Sequence, residues 1–573
     1  MTRFSVALAG DAMLYMPGAP GSGVAISRNG RQLAYVYNMA SPAVTGKIWV
    51  RSLDDLAVRA LPDTEGASNP FFSPDGEWLA FFTGEGMLKK VSLAGGRPVV
   101  LARGLSNAIW MLASWSDDGR IVFDGSGEGL RVIPATGGAV TTLTRLSTEW
   151  HEDPQVLPGS DVVVYHARAV SRVRIEAISL DGKRRKPILE NASRPRYLAS
   201  GHLLFMRDGG LMVAPFDKGR LEITGPVVPV PLEVAVDSPL AAAPVPQLAV
   251  SSEGTLVYVP FPAESLRSST LVWVDRKGAV EDVGTLPFAH PFFALSPDHG
   301  RLAVSGRERG NARIDLYDLS RRASTRLVER EVDWPTGPVF SRDGRRLFVG
   351  NSEMERSELL SLPVDGGGKA ERVLTVPGLI LTPTSVSADG RFVAFYVFDK
   401  KSSGDVWIAD LEGQEGQRAR PFLVGPDHAY GATFSPSGRL LAYTSSESGE
   451  NHVYVRRFPE GDAKTRVSIE AGQDPQWSQD GTELFYQSPD GKKLMAVPVR
   501  QDHGLSFGAP RVLFEGPYLA SDDIGFTYAV SPDARRFLMT RQPNLAPLRA
   551  SELVVVQNWV EDVRRLTGDR RLP

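Results

Sequence analysis

Several residue types and segments are missing from this chain of 573 residues, and each absence excludes a class of structure or chemistry. Cysteine is absent, which excludes disulfides, thiolate metal sites and a cysteine nucleophile. No segment approaches the ~20 apolar residues that cross a membrane, and the apolar stretch 227–236 is broken by two prolines and Glu233. Gly10 and Asp11 interrupt the N-terminal apolar residues before the core of a signal peptide could form. We therefore expect a soluble chain without an export signal.

Excess charge of one sign is missing too, because 64 Lys and Arg face 67 Asp and Glu, a formal net charge of −3. This balance gives no broad basic surface, so we expect no nucleic-acid partner. The sequence has no Gly-x-Ser-x-Gly nucleophile turn, no phosphate-binding Gly-x-x-x-x-Gly-Lys-Ser/Thr loop, no His-Arg-Asp and Asp-Phe-Gly pair and no His-Glu-x-x-His motif. The chain therefore has none of the motifs typical of serine hydrolases, P-loop proteins or protein kinases.

A phrase built around Ser-Pro-Asp-Gly is present instead, and it recurs about every 45 residues. Proline pre-sets φ, aspartate bonds to the local backbone and glycine supplies the left-handed conformation, so the phrase predicts a tight hairpin. Asp75 and its equivalents are therefore expected to form turns rather than to act as catalytic carboxylates. The twelve copies, three of them degenerate, lie at 27–30, 73–76, 116–119, 157–159, 198–201, 251–254, 296–298, 341–344, 387–390, 435–438, 478–481 and 531–533.

Each repeat reads as four short β-strands. In one example the turn is followed by the apolar run 78–82, by the alternating run 88–93 and by the closing run 97–101. Four antiparallel strands per unit of this length are typical of a propeller blade. Twelve blades exceed the four to eight of a single ring. The sequence therefore predicts an all-β fold of two tandem six-bladed β-propellers, 1–286 and 287–573, with a short C-terminal helix; a seven-plus-five split is the alternative.

Two segments bear on how the rings close. Residues 3–8 read as a strand without a blade of its own, and the last blade, whose third strand is 553–556, lacks an obvious fourth strand. Pairing the two segments would close the second ring with the N-terminus.

Polar and aromatic residues just before the innermost strands are expected to gather at the mouth of each ring, on the face opposite the turns. Such convergent groups are the default hypothesis for a ligand site. In ring one the candidates are His151, Glu152, Asp153, Arg194 and Arg196, and in ring two they are Trp334, His428, Tyr430 and Asp474.

The densest of these groups is His151, Glu152 and Asp153. An imidazole beside two carboxylates could hold a divalent cation or transfer protons. The alternative is that neighbouring side chains point to opposite sides and bond to local structure. His428 with Asp474 is a weaker version of the same arrangement.

Longer phrases resemble known propellers. The repeats resemble the TolB-like propeller repeat, which also occurs in the propeller domains of prolyl-oligopeptidase-type peptidases. The longer phrases resemble more closely the C-terminal propeller region of bacterial membrane-anchored Ser/Thr protein kinases. These phrases are 201–205 leading to 211–217, 271–278, 453–459, 483–486 and 556–559. This resemblance implies a non-catalytic sensor or protein-interaction module outside the membrane. The kinase domain and the membrane helix of that arrangement are not in this sequence.

We therefore expect a binding module for a protein, a peptide or a glycan, with no required cofactor. One alternative is a propeller enzyme, a metal-dependent lactonase or lyase that uses a ring mouth. Another is an accessory propeller for a separate peptidase or kinase. A kinase ectodomain would be periplasmic or extracellular, and a free-standing relative would be cytoplasmic.

Overall fold

The structure is a computed structural model that describes residues 2–8, 22–37, 46–54, 58–105, 108, 111–125, 129–145, 149–168, 172–236, 245–260, 269–286, 292–308, 311–328, 335–352, 356–378, 380–399, 402–414, 416–425, 427–459, 463–500, 504–520, 525–541 and 552–568.

The Ser-Pro-Asp-Gly phrase forms the hairpin that the sequence predicts. In the copy at 73–76, the Ser73 N–H donates to the Trp78 carbonyl at 2.9 Å and the Gly76 N–H donates to the Ser73 carbonyl at 3.0 Å. Asp75 accepts from the Ser73 hydroxyl and from the Glu77 N–H at 2.9 Å, and Gly76 has a φ of 74°. The hydrogen bond from Ser73 is the main reason that the pKa of Asp75 is lowered. This aspartate is therefore a turn former.

The described strands form twelve antiparallel sheets, six of which make up the first ring, called ring one below. From the innermost strand outwards, the first five blades are β2 (Val24–Ile26), β3 (Gln32–Tyr37), β4 (Lys47–Ser52) and β5 (Val58–Ala60); β6 (Ala67–Phe72), β7 (Trp78–Thr83), β8 (Met87–Ser92) and β9 (Val99–Ala102); β10 (Ala113–Trp115), β11 (Arg120–Asp124), β12 (Leu130–Pro134) and β13 (Thr141–Thr142); β14 (Trp150–Val156), β15 (Val162–Arg168), β16 (Val173–Ser179) and β17 (Arg185–Glu190); and β18 (Ser193–Leu198), β19 (His202–Arg207), β20 (Gly210–Asp217), β21 (Glu222–Ile223) and β22 (Val228–Pro229).

The sixth blade of ring one combines the two ends of the chain. Its strands are β23 (Leu248–Val250), β24 (Leu256–Tyr258), β50 (Glu552–Gln557) and β1 (Thr2–Ala7).

The second ring, called ring two below, has the same design. Its first five blades are β27 (Phe292–Leu295), β28 (Arg301–Glu308), β29 (Asn311–Asp318) and β30 (Ala323–Val328); β31 (Pro335–Phe340), β32 (Arg346–Ser352), β33 (Arg356–Pro363) and β34 (Glu371–Pro377); β35 (Ile380–Val386), β36 (Phe392–Asp399), β37 (Ser402–Asp410) and β38 (Ala419–Leu423); β39 (Ala429–Phe434), β40 (Leu440–Ser445), β41 (His452–Arg457) and β42 (Lys464–Arg466); and β43 (Gln473–Trp477), β44 (Glu483–Gln487), β45 (Lys493–Arg500), β46 (Ser506–Phe507) and β47 (Arg511–Glu515).

The sixth blade of ring two also draws on distant segments. Its strands are β48 (Tyr528–Val530), β49 (Arg536–Arg541), β25 (Ser269–Asp275) and β26 (Val280–Leu286).

Neighbouring blades pack through apolar side chains. Phe82 on the second blade lies 6.1 Å from Phe123 on the third, between ring centroids, and both are fully buried. In ring two the innermost strands contact one another from β27 through β31, β35, β39 and β43 to β48, which returns to β27. In ring one the series runs from β2 to β18, and β23 contacts β2. Two six-bladed propellers and one short helix are the predicted architecture, and the fold class is confirmed.

The division of the chain differs from the expected boundary at residue 286. One compact unit holds 1–264 and 545–573, and the other holds 265–544. The reason is strand pairing: β25 and β26, expected in ring one, join β49 of ring two, with Trp273 opposite Leu538. Along the chain, the segment that forms ring two thus lies between β24 and β50, two neighbouring strands in the last blade of ring one.

The N-terminal strand closes ring one instead of ring two. β1 pairs with β50 in register, with Val6 opposite Leu553. The expected partner segment is therefore the one observed, but β50 pairs on its other side with β24, where Val257 lies opposite Val555. Since β24 belongs to ring one, both chain ends complete that ring.

The helix α1 (Trp559–Thr567) follows β50 and also packs on ring one. The Trp559 N–H donates to the Gly254 carbonyl at 2.8 Å. Trp559 and Val563 are buried in one cluster with Leu248 of β23. The helical tail therefore belongs to ring one rather than to the 287–573 domain that the sequence predicted.

Candidate functional site

A repeated β-bulge shapes the innermost strand of most blades. The pairing of β14 with β15 shifts between Glu152 and Gln155, and Asp153 at the bulge has a φ of 54° before Pro154. Equivalent left-handed residues at register shifts include Asn69, Arg194, Gly431 and Asp474. A bulge redirects a side chain and accommodates a proline that cannot donate to the ladder. It places these residues at equivalent positions on successive blades.

Ring one contains a cavity of about 230 Å³ that is lined by innermost strands from all six blades. At one level its wall includes Asn69, Asp153 and Arg196, and at another it includes turn residues such as Arg28 and Pro74. The cavity therefore extends towards the turn face, whereas the sequence analysis placed the candidate sites only on the opposite face.

Three of the candidate residues in ring one lie together. Asp153 accepts from Arg196 Nη2 at 2.7 Å, and its Oδ2 lies 4.0 Å from Arg194 Nη1. The side chains of Asp153 and Arg194 are 2% and 10% exposed, whereas that of Arg196 is 27% exposed. Arg196 is therefore the accessible cation of this group, and Asp153 fixes its position.

His151 points away from this group. Its Nδ1 lies 2.8 Å from Thr144 Oγ1 and its Nε2 lies 3.1 Å from Arg185 Nη2. Because a guanidinium can only donate, Nε2 must accept and Nδ1 carries the proton towards Thr144. Burial, followed by the charge of Arg185, lowers the pKa of His151 to about 4. A neutral His151 thus ties β14 to the outer strand β17.

Glu152 points in a third direction. Its carboxylate lies 3.0 Å from His166 Nε2 and 2.9 Å from Arg168 Nη2. Burial favours protonation, but Arg168 and His166 outweigh it and hold the pKa of Glu152 well below its usual range. Neighbouring Asp124 behaves in the opposite way, because burial and the Glu152 carboxylate raise its pKa.

The three side chains considered as a cation site therefore diverge. Among the residues that the structure describes, no group of three or more His, Asp or Glu side chains is arranged to hold a metal ion. The alternative in which neighbouring side chains bond to different local partners is the one that the geometry shows at His151, Glu152 and Asp153.

In ring two the structure brings His428 and Tyr430 together, with their ring centroids 4.8 Å apart, whereas Asp474 lies on the next blade. His428, just before β39, has its Nε2 3.1 Å from the Tyr396 hydroxyl of β36. Tyr430 is buried and its hydroxyl accepts from Asn451 Nδ2 at 3.0 Å. The N–H of Asp474, on β43, donates to Thr444 Oγ1 at 3.0 Å. Trp334 lies outside the described residues.

Ring two also has a cavity, of about 330 Å³, lined by all six innermost strands. The second residue of each of its six turns lies at this cavity: Pro297, Arg342, Ala388, Pro436, Gln479 and Pro532. Sequence reasoning missed this position because it assigned the turns to formation of the hairpins alone. The sequence did contain a signal for it. From turn to turn the second residue varies in type, whereas the serine before it and the aspartate or glycine after it are repeated.

The chain has partial similarity to known proteins. No family model matches the chain. Protein NirF of Pseudomonas aeruginosa is 30% identical over 181 residues, which are 30% of this chain and 42% of that protein. The chain thus spans about two fifths of the curated relative that it matches.

Two solved structures are similar at low identity. A putative TolB from Agrobacterium tumefaciens is 18% identical, with 48% of this chain and 98% of that chain covered and a TM-score of 0.40. TolB from Acinetobacter baumannii is 14% identical, with 68% and 80% covered and a TM-score of 0.32. None of these similarities assigns a role to a residue of this chain.

In its described part, the chain contains no helix with the length and apolar character needed to cross a membrane.

Proposed function

We propose that this chain is a non-catalytic binding module that recognises a protein, peptide or glycan ligand at the axial cavity of ring one. The supporting observation is Arg196, a partly exposed guanidinium in the cavity wall that buried Asp153 holds at 2.7 Å. Asp153 and the Pro195 carbonyl each accept one hydrogen bond from this guanidinium, so its other N–H groups can donate to a ligand carbonyl, hydroxyl or carboxylate.

Apolar and planar groups complete the surface around Arg196. The same cavity is lined by Phe71, Trp115 and Pro154, and Trp115 packs edge-on to Phe71 at 6.4 Å between centroids. Ligand sites combine apolar walls with a few oriented polar groups, and the accessible surface of this cavity is about equally polar and apolar. It suits an extended chain or a sugar that presents both a flat face and hydrogen-bonding edges.

We further propose that the module is a sensor or scaffold of the kind attached to bacterial Ser/Thr kinases. The support is the resemblance of phrases such as 271–278 and 453–459 to that propeller region. An accessory role beside a separate peptidase would use the same type of surface.

The test is capture by the immobilised protein from peptidoglycan fragments and from periplasmic extract, with wild type compared with Arg196→Gln. We expect the variant to lose most of the captured material because the accessible donor is gone. Since Arg196→Gln leaves Asp153 without its partner, the double variant Asp153→Asn with Arg196→Gln is measured as well. The matched control is Arg220→Gln, an arginine of the same blade whose side chain is 76% exposed.

Capture that is equal in wild type and in both Arg196 variants would contradict the proposal. The metal content of the purified protein separates binding from the lactonase or lyase alternative. Stoichiometric metal that is lost in His151→Ala and Glu152→Ala would favour the enzyme.

A further inference from the structure

The cavity of ring two has an aromatic wall. Phe293, Phe340, Phe434 and Trp477 line it and each keeps a small exposed fraction, between 3% and 9%, while Tyr528 in the same wall is fully buried. At about 330 Å³ it lies at the lower end of the range of ~300–1,000 Å³ that small-molecule sites occupy. The wall thus has the size and character to bury a small apolar or aromatic group.

The polar side chains of this wall are already bonded to neighbouring strands. Thr384 donates to the Ala432 carbonyl at 2.7 Å, Thr433 to the Pro475 carbonyl at 2.9 Å and Gln476 to the Tyr528 carbonyl at 2.6 Å. Trp477 Nε1 donates to the Thr433 carbonyl at 3.2 Å. These groups hold the blades together and leave few donors for a ligand.

The turn serines are used in the same way. In five of the six turns the serine hydroxyl donates to the aspartate two positions later, and in the fourth turn Ser435 bonds to Ser437. The donors at the mouth must therefore come from the second turn positions and the residues beside them.

Arg342 is the cation at this mouth. It is exposed, it lines the cavity, and it has no hydrogen-bond or ion-pair partner within the described ranges. His299, from the adjacent turn, lines the same cavity, and its buried Nδ1 has no hydrogen-bond partner among the described residues. Pro297, Pro436 and Pro532 supply an apolar rim.

Ring one differs at the equivalent position. There the second turn residue Arg28 forms an ion pair with Asp117, the second residue of another turn. Asp117 also accepts from the Gly159 N–H at 2.9 Å. The arginine at the ring-one mouth is thus neutralised by the protein itself, whereas the arginine at the ring-two mouth keeps its charge available.

We propose that the turn-face mouth of ring two binds small organic carboxylates whose apolar or aromatic body enters the cavity while the carboxylate pairs with Arg342. Arginine presents paired donors that match the two carboxylate oxygens. The proposal goes beyond the binding role proposed above, because it concerns a different ring and a different residue.

The test uses three acids, benzoate, phenylacetate and 4-phenylbutyrate, each beside its neutral amide. Binding to the full chain is measured by saturation-transfer NMR and by titration calorimetry. We expect at least one acid to bind at least tenfold more tightly than its amide. Arg342→Gln is expected to remove this preference while leaving the amide unaffected. Ala388→Trp, which fills the mouth, is expected to weaken the binding of both the acid and its amide.

The matched control is Arg345→Gln, which removes another exposed arginine, directly after the same turn and outside the cavity lining. Absence of any acid preference in the wild type, or equal loss in the two arginine variants, would overturn the proposal. Capture through ring one is expected to be unchanged in Arg342→Gln, so a failure here is distinguishable from a failure of the proposed function.

Discussion

Glu176 accepts hydrogen bonds from three side chains on one face of the fourth blade of ring one. The donors are the Tyr165 hydroxyl, Arg174 Nε and Arg185 Nε, each at 2.6 Å. The carboxylate side chain is only 5% exposed. A buried carboxylate with three donors strongly constrains the strands that supply them. Losing it removes the acceptor of both arginine Nε atoms, while Arg174 keeps its pair with Glu149 and Arg185 its contact with His151.

We expect Glu176→Gln to destabilise the protein by about 2–3 kcal/mol at pH 7. This is less than the ~3–5 kcal/mol lost when a fully buried pair is broken, because the Arg174 and Arg185 side chains are 22% and 41% exposed. Burial raises the pKa of Glu176, but the hydrogen bonds from Tyr165, Arg185 and Arg174 lower it overall. The stabilisation that Glu176 contributes is therefore present at pH values above the pKa of the unfolded chain, and it is lost as the pH falls through the lower pKa of the folded protein.

The measurement is urea unfolding followed by circular dichroism. Glu222→Gln is the control, since this exposed carboxylate pairs with Lys186 at the surface. An equal effect of the two substitutions would contradict the assigned role of Glu176.

His151 gives a second pH-dependent contribution with its own range. Its folded pKa of about 4 lies below the ordinary value of 6.5, so the unfolded chain binds a proton that the native protein does not. Stability is therefore full above pH 6.5 and falls as the pH drops towards 4. Between pH 7 and pH 4.5 we expect His151→Gln to lose about 2–3 kcal/mol less than wild type. The free energy of unfolding of both proteins is measured at the two pH values. An equal loss in wild type and in His151→Gln would show that native His151 binds the proton as readily as the unfolded chain does.

At this scale the sequence predicted the turn residues well and the site residues incompletely. The role of Asp75 follows from contacts within five residues, which turn chemistry describes. The role of His151 depends on Arg185, which lies 34 residues away on another strand. Such partners are determined by blade register, which no local pattern contains.

Among the elements, β1 is the outermost strand of the sixth blade of ring one, where it covers the outer edge of β50. Val6 is 4% exposed and faces Leu553, whereas Phe4 is 37% exposed and faces Val555. The two positions share a strand and differ in burial.

We expect Val6→Asp to release β1, since burying a carboxylate beside Leu553 costs more than the pairing of one edge strand contributes. Hydrogen exchange should then speed up in β50 and β24 and stay unchanged in β43 and β44 of ring two. Phe4→Asp is the matched control and should leave exchange as in wild type. Faster exchange in ring two would contradict the closure of ring one by β1.

The number and type of strands could be read from the sequence because turn chemistry and alternation are local. The closure of the rings could not. β25 pairs with β49, and Trp273 and Leu538 in that pairing are separated in sequence by nearly all of ring two. A phrase such as 271–275 looks the same in the last blade of one ring as in the last blade of the other.

At the scale of the whole chain, ring two is a continuous segment and ring one is not. Residues 265–544 include all the strands of ring two, among them β25 and β26 before its first blade. Ring one needs both chain ends, since β50 lies in its sixth blade.

We expect the fragment 265–544 to fold cooperatively by itself, because its sixth blade is complete. The fragment 287–573 lacks β25 and β26, and we expect it to unfold at lower temperature or to aggregate, since β49 then has an open edge. Thermal melts and proteolysis of the two fragments make the comparison. A stable 287–573 beside an unstable 265–544 would show that the division near residue 286 is the correct one.

The insertion also sets an order in time during synthesis. Ring two has all of its strands once Arg541 has been made. Ring one, although it begins with the first residues, still lacks β50 at that moment. The earlier ring must therefore wait, with β24 unpaired along one edge, until the later ring is complete. A chain that has emerged from the ribosome as far as Arg541 can close ring two while ring one is still open.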